Sequence, residues 1–450
     1  MNTQERQATF SLASIYTFRM LGLFMILPVF SLYTHSLKFA NPFLIGLALG
    51  VYGLTQACLQ IPFGLTSDRI GRKPVIVFGL LLFMLGSVIA ALSHDIYWII
   101  VGRALQGAGA VGSALIALVA DTTRDEHRLK AMSLIGMTIG LSFILAMILG
   151  PILNDWIGLS GIFWLTAAFA LLGIFILFAF VPSPKSHLLH RDSEPVLSQF
   201  KNVLKSRELL RLDFGIFTLH ATLMALFIII PLFLTQHLAL AAKSQWMFYL
   251  PVLLIACIIM FPFVGIAEAK RLIKPIFIIA VAALVLVELC LFFGVLSNSL
   301  LGFSILLCVF FTAFTLLEGI LPSLISKIAP IGSKGTAMGV YSSAQFLGIF
   351  FGGTIGGLIV HDSGSRGVYL FCALLGLLWL FLAVTMKQPP YLSSQILKLN
   401  TQVGPDALKA LKEKIKATPG VAEVLISAEE GIAYLKVDKR KLAKDAFSDF

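Results

Sequence analysis

Along most of this chain apolar residues do not alternate with polar ones. They run on for some twenty positions, stop at a short polar or glycine-bearing break, and start again. A run of about 20 residues matches the ~30 Å hydrocarbon core of a bilayer crossed by a helix rising ~1.5 Å per residue. The runs centre near residues 22, 52, 84, 107, 142, 171, 224, 256, 286, 312, 347 and 376, which predicts twelve spanning helices. The first, about Phe10 to Leu32, is longer than a signal-peptide core and lacks a convincing small-residue cleavage site after it, so it reads as an uncleaved span.

The breaks are not equivalent. The longest, 182–212, carries Pro and Ser at its start and then sets Val196, Leu197, Phe200, Val203 and Leu204 beside Lys201, Lys205 and Arg207. That spacing predicts a helix lying on a membrane surface. It divides the spans six and six, into 1–181 and 213–388. From Lys387 the pattern changes, and Pro389-Pro390 ends the last span. Ser394–Leu399 alternates as a strand, Pro405–Ala417 is amphipathic with Pro in its first turn, Val421–Ile426 and Ile432–Val437 alternate as a hairpin, and Lys441–Phe450 reads as helical. Residues 391–450 therefore predict a small α+β domain of order βαββα, ferredoxin-like without a last strand.

Composition agrees with the pattern: 58% of residues are hydrophobic and 13% charged, and the mean hydropathy is +0.93, against about 25% charged in soluble domains. A net charge of +11 would in a soluble protein suggest nucleic acid, but its placement argues otherwise. Arg69, Arg72 and Lys73; Arg124, Arg128 and Lys130; Lys270, Arg271 and Lys274; and Lys327 and Lys334 fall in alternate loops, while the others hold little besides Lys38, Lys243 and Arg366. The positive-inside rule then places both termini in the cytoplasm, with the bilayer rather than nucleic acid as the partner. The five cysteines, Cys58, Cys257, Cys290, Cys308 and Cys372, all lie in apolar runs without a CxxC pair or a Cys/His cluster, so neither disulfides nor a metal site are expected.

The halves echo one another. Pro62-Phe63 is followed by Asp68 and then Lys73-Pro74; Pro262-Phe263 is followed by Glu268 and then Lys274-Pro275. Both stretches join the second and third spans of their half, which argues for a duplicated unit, an architecture of secondary transporters.

The most specific string is Gly64-Leu65-Thr66-Ser67-Asp68-Arg69-Ile70-Gly71-Arg72-Lys73. Gly64 lets helices approach closely, Asp68 suits the positive end of a neighbouring helix, and Arg72 needs a carboxylate, for which Asp121 at the end of span four is the candidate. The string resembles the signature loop of the major facilitator superfamily at Gly64, Asp68, Arg69, Gly71, Arg72 and Lys73. Arg103 to Gly109 resembles that superfamily's fourth-helix motif, and Gly136, Gly140, Gly150 and Pro151 resemble the fifth-helix motif of its antiporters, with Asn154 where a small residue is common. Glycines there also serve helix packing. Further strings in the second half, Leu317 to Lys327, Lys334 to Ser342 and Gln345 to Gly348, together with the tail, resemble its drug:proton antiporter-like carriers that bear a small C-terminal domain. The resemblance implies an all-α membrane protein of two six-helix bundles in the cytoplasmic (inner) membrane of a bacterium. It implies proton-coupled exchange of a small drug-like molecule, and a loop whose contacts latch the halves on the cytoplasmic side. A symporter or facilitator on the same fold, or a transporter-like sensor, stays open, as does a regulatory ligand, a partner or self-association through the tail. Proton apart, no cofactor is expected, and the absence of a nucleophile–base set, a phosphate loop or a metal cluster argues against an enzyme.

Ionisable residues inside spans cost at least about 2.5 kcal/mol each at mid-bilayer and persist where they work or pair. They are Arg19, Arg103, His220, Glu288 and Glu318, in spans one, four, seven, nine and ten. By the resemblance, spans one, four, seven and ten line a central cavity. Arginine stays charged, so Arg19 and Arg103 serve to bind an anionic group or hold a carboxylate ionised, while Glu318 and His220 can carry the proton. Glu288 reads as structural. The tail's loop after its first strand, Thr401 to Gly404, has no cysteine, which argues against copper or zinc transfer there.

Overall fold

The computed structural model describes residues 1–32, 37–182, 199–330, 333–389, 392–398, 405–427, 432–438 and 441–442. Helix α1 (Thr3–Phe24) opens on a capping box: the Asn2 side chain accepts from the Glu5 amide and the Glu5 carboxylate from the Asn2 amide. Asn41 caps α2 (Pro42–Ile70), with proline in its first turn, and α3 (Arg72–Leu92) follows. Span four is broken into α4 (Ile96–Ala108), capped by Asp95, and α5 (Gly112–Thr122). Then come α6 (Asp125–Phe180), the short α7 (Phe200–Lys205), α8 (Arg207–Gln236), α9 (Gln245–Ala269), α10 (Ile273–Phe293), α11 (Leu300–Ile328) and α12 (Lys334–Val384).

Among the described residues nine helical stretches are long and apolar enough to cross a membrane; two of them, in α6 and α12, fold back to make eleven spans, and α1, outside those nine, is the twelfth. Helix α6 has 56 residues, roughly 84 Å if straight, far more than a bilayer. It reverses at Gly158 (φ 69°), as α12 does at Gly364 (φ 66°), a left-handed backbone that glycine adopts without strain. Both ends of α6 accordingly lie at one face. Arg124, just before it, pairs with Glu5 at the start of α1, and Val181, just after it, accepts from Lys73 at the start of α3. This face, which carries the basic loops, is called the basic face below. The opposite one is the far face.

Helices α1 to α6 pack as one half and α8 to α12 as the other. The seventh span starts at Arg207, inside the segment expected as linker, because Ser206 caps α8 by accepting from Leu209. Residues 183–198, with the first part of the expected surface helix, lie outside the described residues; α7 is its remainder. The duplication is visible in one hydrogen bond made twice. Lys73 Nζ donates to Val181 O at 2.6 Å and Lys274 Nζ to Met386 O at 2.5 Å, each tying a half's second loop to the end of its sixth span.

The halves meet along a seam of backbone between α2 and α12. A Cβ added to Gly46 would fall 2.1 Å from Gly353 O, one on Gly50 2.7 Å from Phe350 O, and one on Gly53 2.4 Å from Phe346 O. Pro42 lies against Gly357 at the far end of the seam, and Ser343 Oγ donates to Ala57 O at 3.4 Å at the other. The opposite side of α12 presents Gly348 and Gly352 to Phe217 and Ala221 of α8, so α12 is wedged between α2 of the first half and α8 of its own. Phe143 of α6 closes the same region from within, its ring 6.4 Å from Phe227, 6.0 Å from Phe311 and 6.1 Å from Phe314.

The tail forms β1 (Ser393–Lys398), α13 (Pro405–Ala417), β2 (Val421–Ser427) and β3 (Ile432–Val437), an antiparallel sheet of order β1-β3-β2. Tyr434 pairs with Ile396 on one side and Leu425 on the other. Ile415 packs over Ala433, Leu435 and Val437 in a small separate core. The helix expected over 441–450 lies outside the described residues but for Lys441 and Leu442, as do Thr401 to Gly404 and Pro390-Tyr391 of the linker.

Candidate functional site

In the second half, two helices place their polar residues by spacing alone. Asp213 and His220 are seven residues apart on α8, and Tyr341 and Gln345 four apart on α12, so each pair shares a face. Glu318 of α11 completes the group. His220 Nδ1 lies 3.5 Å from Glu318 Oε1, and Gln345 Nε2 lies 2.8 Å from His220 Nε2. With the Gln345 amide nitrogen donating, His220 Nε2 accepts, and the neutral ring then carries its proton on Nδ1. The Tyr341 phenol is within electrostatic reach of both Glu318 and Asp213. His220 and Asp213 are buried, whereas the Glu318 side chain is 30% exposed. The seam and the Phe143 cluster lie on the far-face side of this group.

In the first half, Arg19 Nη2 donates to Tyr52 Oη at 2.9 Å and to Gln56 Oε1. Arg103 donates from Nη1 to Gln106 Oε1 at 2.9 Å and from Nε to Ala48 O at 3.3 Å, and its guanidinium stands 5.0 Å above the Tyr52 ring. Tyr52 thus takes one arginine on its hydroxyl and the other on its face. Among the described residues neither guanidinium has a carboxylate within 4.0 Å. The four ionisable groups form two pairs rather than one ring: Arg19 with Arg103 through Tyr52, and His220 with Glu318. Glu288 of α10 is fully buried among other residues, with Tyr369 and Cys372 of α12 in electrostatic reach.

The signature loop does form the expected pair. Arg72 Nε donates to Asp121 Oδ2 at 3.0 Å, and its Nη1 donates to Ser67 Oγ at 2.8 Å and to Asp68. Gly64 brings α2 against Ser113 of α5, whose hydroxyl donates to Gln60 O. Gly71 (φ 102°) makes the turn between α2 and α3, and Arg69 is exposed. These described contacts all join spans two, three and four. Together they form a staple within the first half. The fifth-helix motif also divides: Gly150 lies 2.5 Å by its added Cβ from Met25 O and packs α6 on the end of α1, with Pro151 buried beside it, while Gly136 and Gly140 face open space.

Asp213, Tyr341 and Gln345 escaped the sequence reading. Asp213 fell at the boundary drawn for its span, although its seven-residue spacing from His220 was there to be read. Tyr341 and Gln345 are ordinary residues in an apolar helix until α11 is laid beside them. At the basic face, Glu5 is paired through Arg124 Nε at 2.7 Å, and that guanidinium holds its carboxyl well below the usual range, at about 2.

Comparison with known proteins fits this arrangement. The profile described as Major Facilitator Superfamily matches residues 12–353 and 320–418. The chain belongs to the major facilitator superfamily. It is 46% identical over 443 residues to the inner membrane transport protein YajR of Escherichia coli (strain K12), covering 98% of this chain and 96% of that one. It is 26% identical over 363 residues to the multidrug resistance protein MdtH of Proteus mirabilis (strain HI4320), covering 77% of this chain and 85% of the relative. Among solved structures, a bacterial homologue of the human lysosomal transporter Spinster, in an inward-facing and occupied conformation, superposes with a TM-score of 0.70 at 14% identity, covering 86% of this chain and 98% of that one. The superfamily's members are transporters, not enzymes, and this chain is a multi-pass membrane transporter.

Proposed function

We propose that this carrier exchanges protons for a small amphipathic, drug-like compound by alternating access between its two halves, with Glu318 as the protonation site and His220 as its partner. The observation that carries the reading is the 3.5 Å approach of His220 Nδ1 to a partly exposed Glu318 carboxylate, on helices of the half that faces Arg19 and Arg103. Proton binding at Glu318 neutralises a charge that is costly to carry through a closed, low-dielectric intermediate. Protonation of the His220 ring at Nε2, leaving Nδ1–H in place, would set two donors face to face unless Gln345 turned its amide, so Gln345 couples ring protonation to a side-chain movement. The basic loops support a cytoplasmic position for both termini. A seam placed toward the far face supports an inward-open state. Export of drug-like compounds rests on the multidrug resistance relative and on apolar Phe and Met surface that can adapt to varied shapes.

The test is transport in vesicles with an imposed pH gradient, using compounds first selected because they raise the thermal stability of the purified carrier. Wild type should accumulate such a compound against its gradient while protons move the other way, and Glu318→Gln should lose the coupling. Unchanged coupling in Glu318→Gln would remove the protonation assignment. Compound and protons moving the same way would establish a symporter instead.

A further inference from the structure

The two echoing loops differ in where they find a carboxylate. Gly71 (φ 102°) and Arg271 (φ 56°) are 200 positions apart, occupy left-handed backbone, and precede the lysines that bond Val181 O and Met386 O. A left-handed arginine is uncommon. In the first half, Arg72 beside this turn reaches Asp121 at the end of α5, 3.0 Å away. In the second half the corresponding end of α11, Leu324 to Ile328, contains no acid. There the arginine in the turn, Arg271, pairs through Nη2 with Asp438 Oδ1 of the tail, at 2.8 Å. Two residues earlier, the buried Lys436 of β3 donates its ammonium to Lys327 O at 2.9 Å and Ala329 O at 2.6 Å. Those carbonyls close α11, where the helix dipole is negative and backbone acceptors lack partners within the helix.

We infer that the tail domain is a clamp on the second half, supplying from Asp438 a carboxylate for its turn, where the first half uses its own Asp121, and from Lys436 a cap for the end of α11. It holds the basic end of α11 against the α9–α10 turn, nine residues below Glu318, about 13.5 Å along the helix. The Arg271 side chain is 32% exposed and that of Asp438 17%, so salt weakens this arm of the clamp, while the buried Lys436 arm is shielded. The clamp stands whether or not Glu318 is the protonation site, because its contacts do not involve that residue.

Hydrogen–deuterium exchange on the full-length carrier in nanodiscs tests it without any substrate. Arg271→Asp and Asp438→Arg should each raise amide exchange several-fold in residues 266–274 and 322–330, and the double exchange Arg271→Asp with Asp438→Arg should restore protection. Lys436→Met should raise exchange at the end of α11 alone. Single reversals that leave both segments at wild-type protection would overturn the clamp, and so would a double variant that stays as open as the singles. A variant that unfolds the tail decides equally, since loss of the tail must also release the end of α11.

Discussion

Arg19 and Arg103 are buried at 2% and 1% exposure with hydrogen bonds to neutral acceptors, whereas across the molecule Asp213, His220 and Glu318 are groups whose charge depends on pH. The first half therefore holds charge that cannot change, braced by Tyr52, Gln56 and Gln106. The second holds charge that can change, with Asp213 and His220 buried and only Glu318 partly exposed. A fold built by duplication has thus put permanence in one copy and titration in the other. The lesson extends to the basic face, where the first half closes its signature loop with its own Asp121 and the second borrows Asp438 from an added domain.

Several substitutions would break or sharpen this contrast. Arg72→Gln takes the guanidinium away from Asp121 in the permanent half, and removing one partner of a buried pair should lower stability by about 3 kcal/mol, read as the thermal midpoint in detergent. Little change would mean the staple is not a fixed element. Gly46→Ala, with its Cβ 2.1 Å from Gly353 O, should cost about 1–3 kcal/mol through overpacking of the seam, measured in the same way. In the titrating half, Tyr341→Phe removes a hydroxyl within electrostatic reach of two acids and should slow coupled transport about fivefold, on the order of 1 kcal/mol, and move its pH midpoint. Arg103→Lys should reduce the rate while leaving that midpoint in place, and a displaced midpoint would contradict the division of labour. The smallest effect belongs to Glu5. Its pair with Arg124 lowers the folded pKa from 4.5 to about 2, so its contribution is present above about pH 4.5 and is lost as pH falls toward 2. Arg124 is 59% exposed, so Glu5→Gln should cost less than about 1 kcal/mol at pH 7 and nothing at pH 2.

Hydropathy alone revealed the spans because lipid demands long apolar runs, and the loop charges and the echo at Pro62 and Pro262 revealed the two halves. The Arg72–Asp121 pair was legible because a buried guanidinium needs an acid and the end of span four offered one. What stayed hidden depends on which helices touch. Nothing near Tyr52 in the sequence announces two arginines from other spans, and Tyr341 acquires meaning only when α11 and α8 flank it. The seam could not be read either, since Gly46 and Gly353 lie some 300 residues apart and glycine is common in membrane helices for many reasons.

The reversals at Gly158 and Gly364 carry a practical consequence. Each turns a helix back with a single left-handed residue, so at two of its corners the far face has almost no chain to cut, tag or bind. Antibodies, proteases and thiol labels approaching from that side are directed instead to the segments around Lys38, Lys243 and Ser297. Reporters of the carrier's motion belong there, and inserted epitopes at either glycine would have to unmake the turn to be seen.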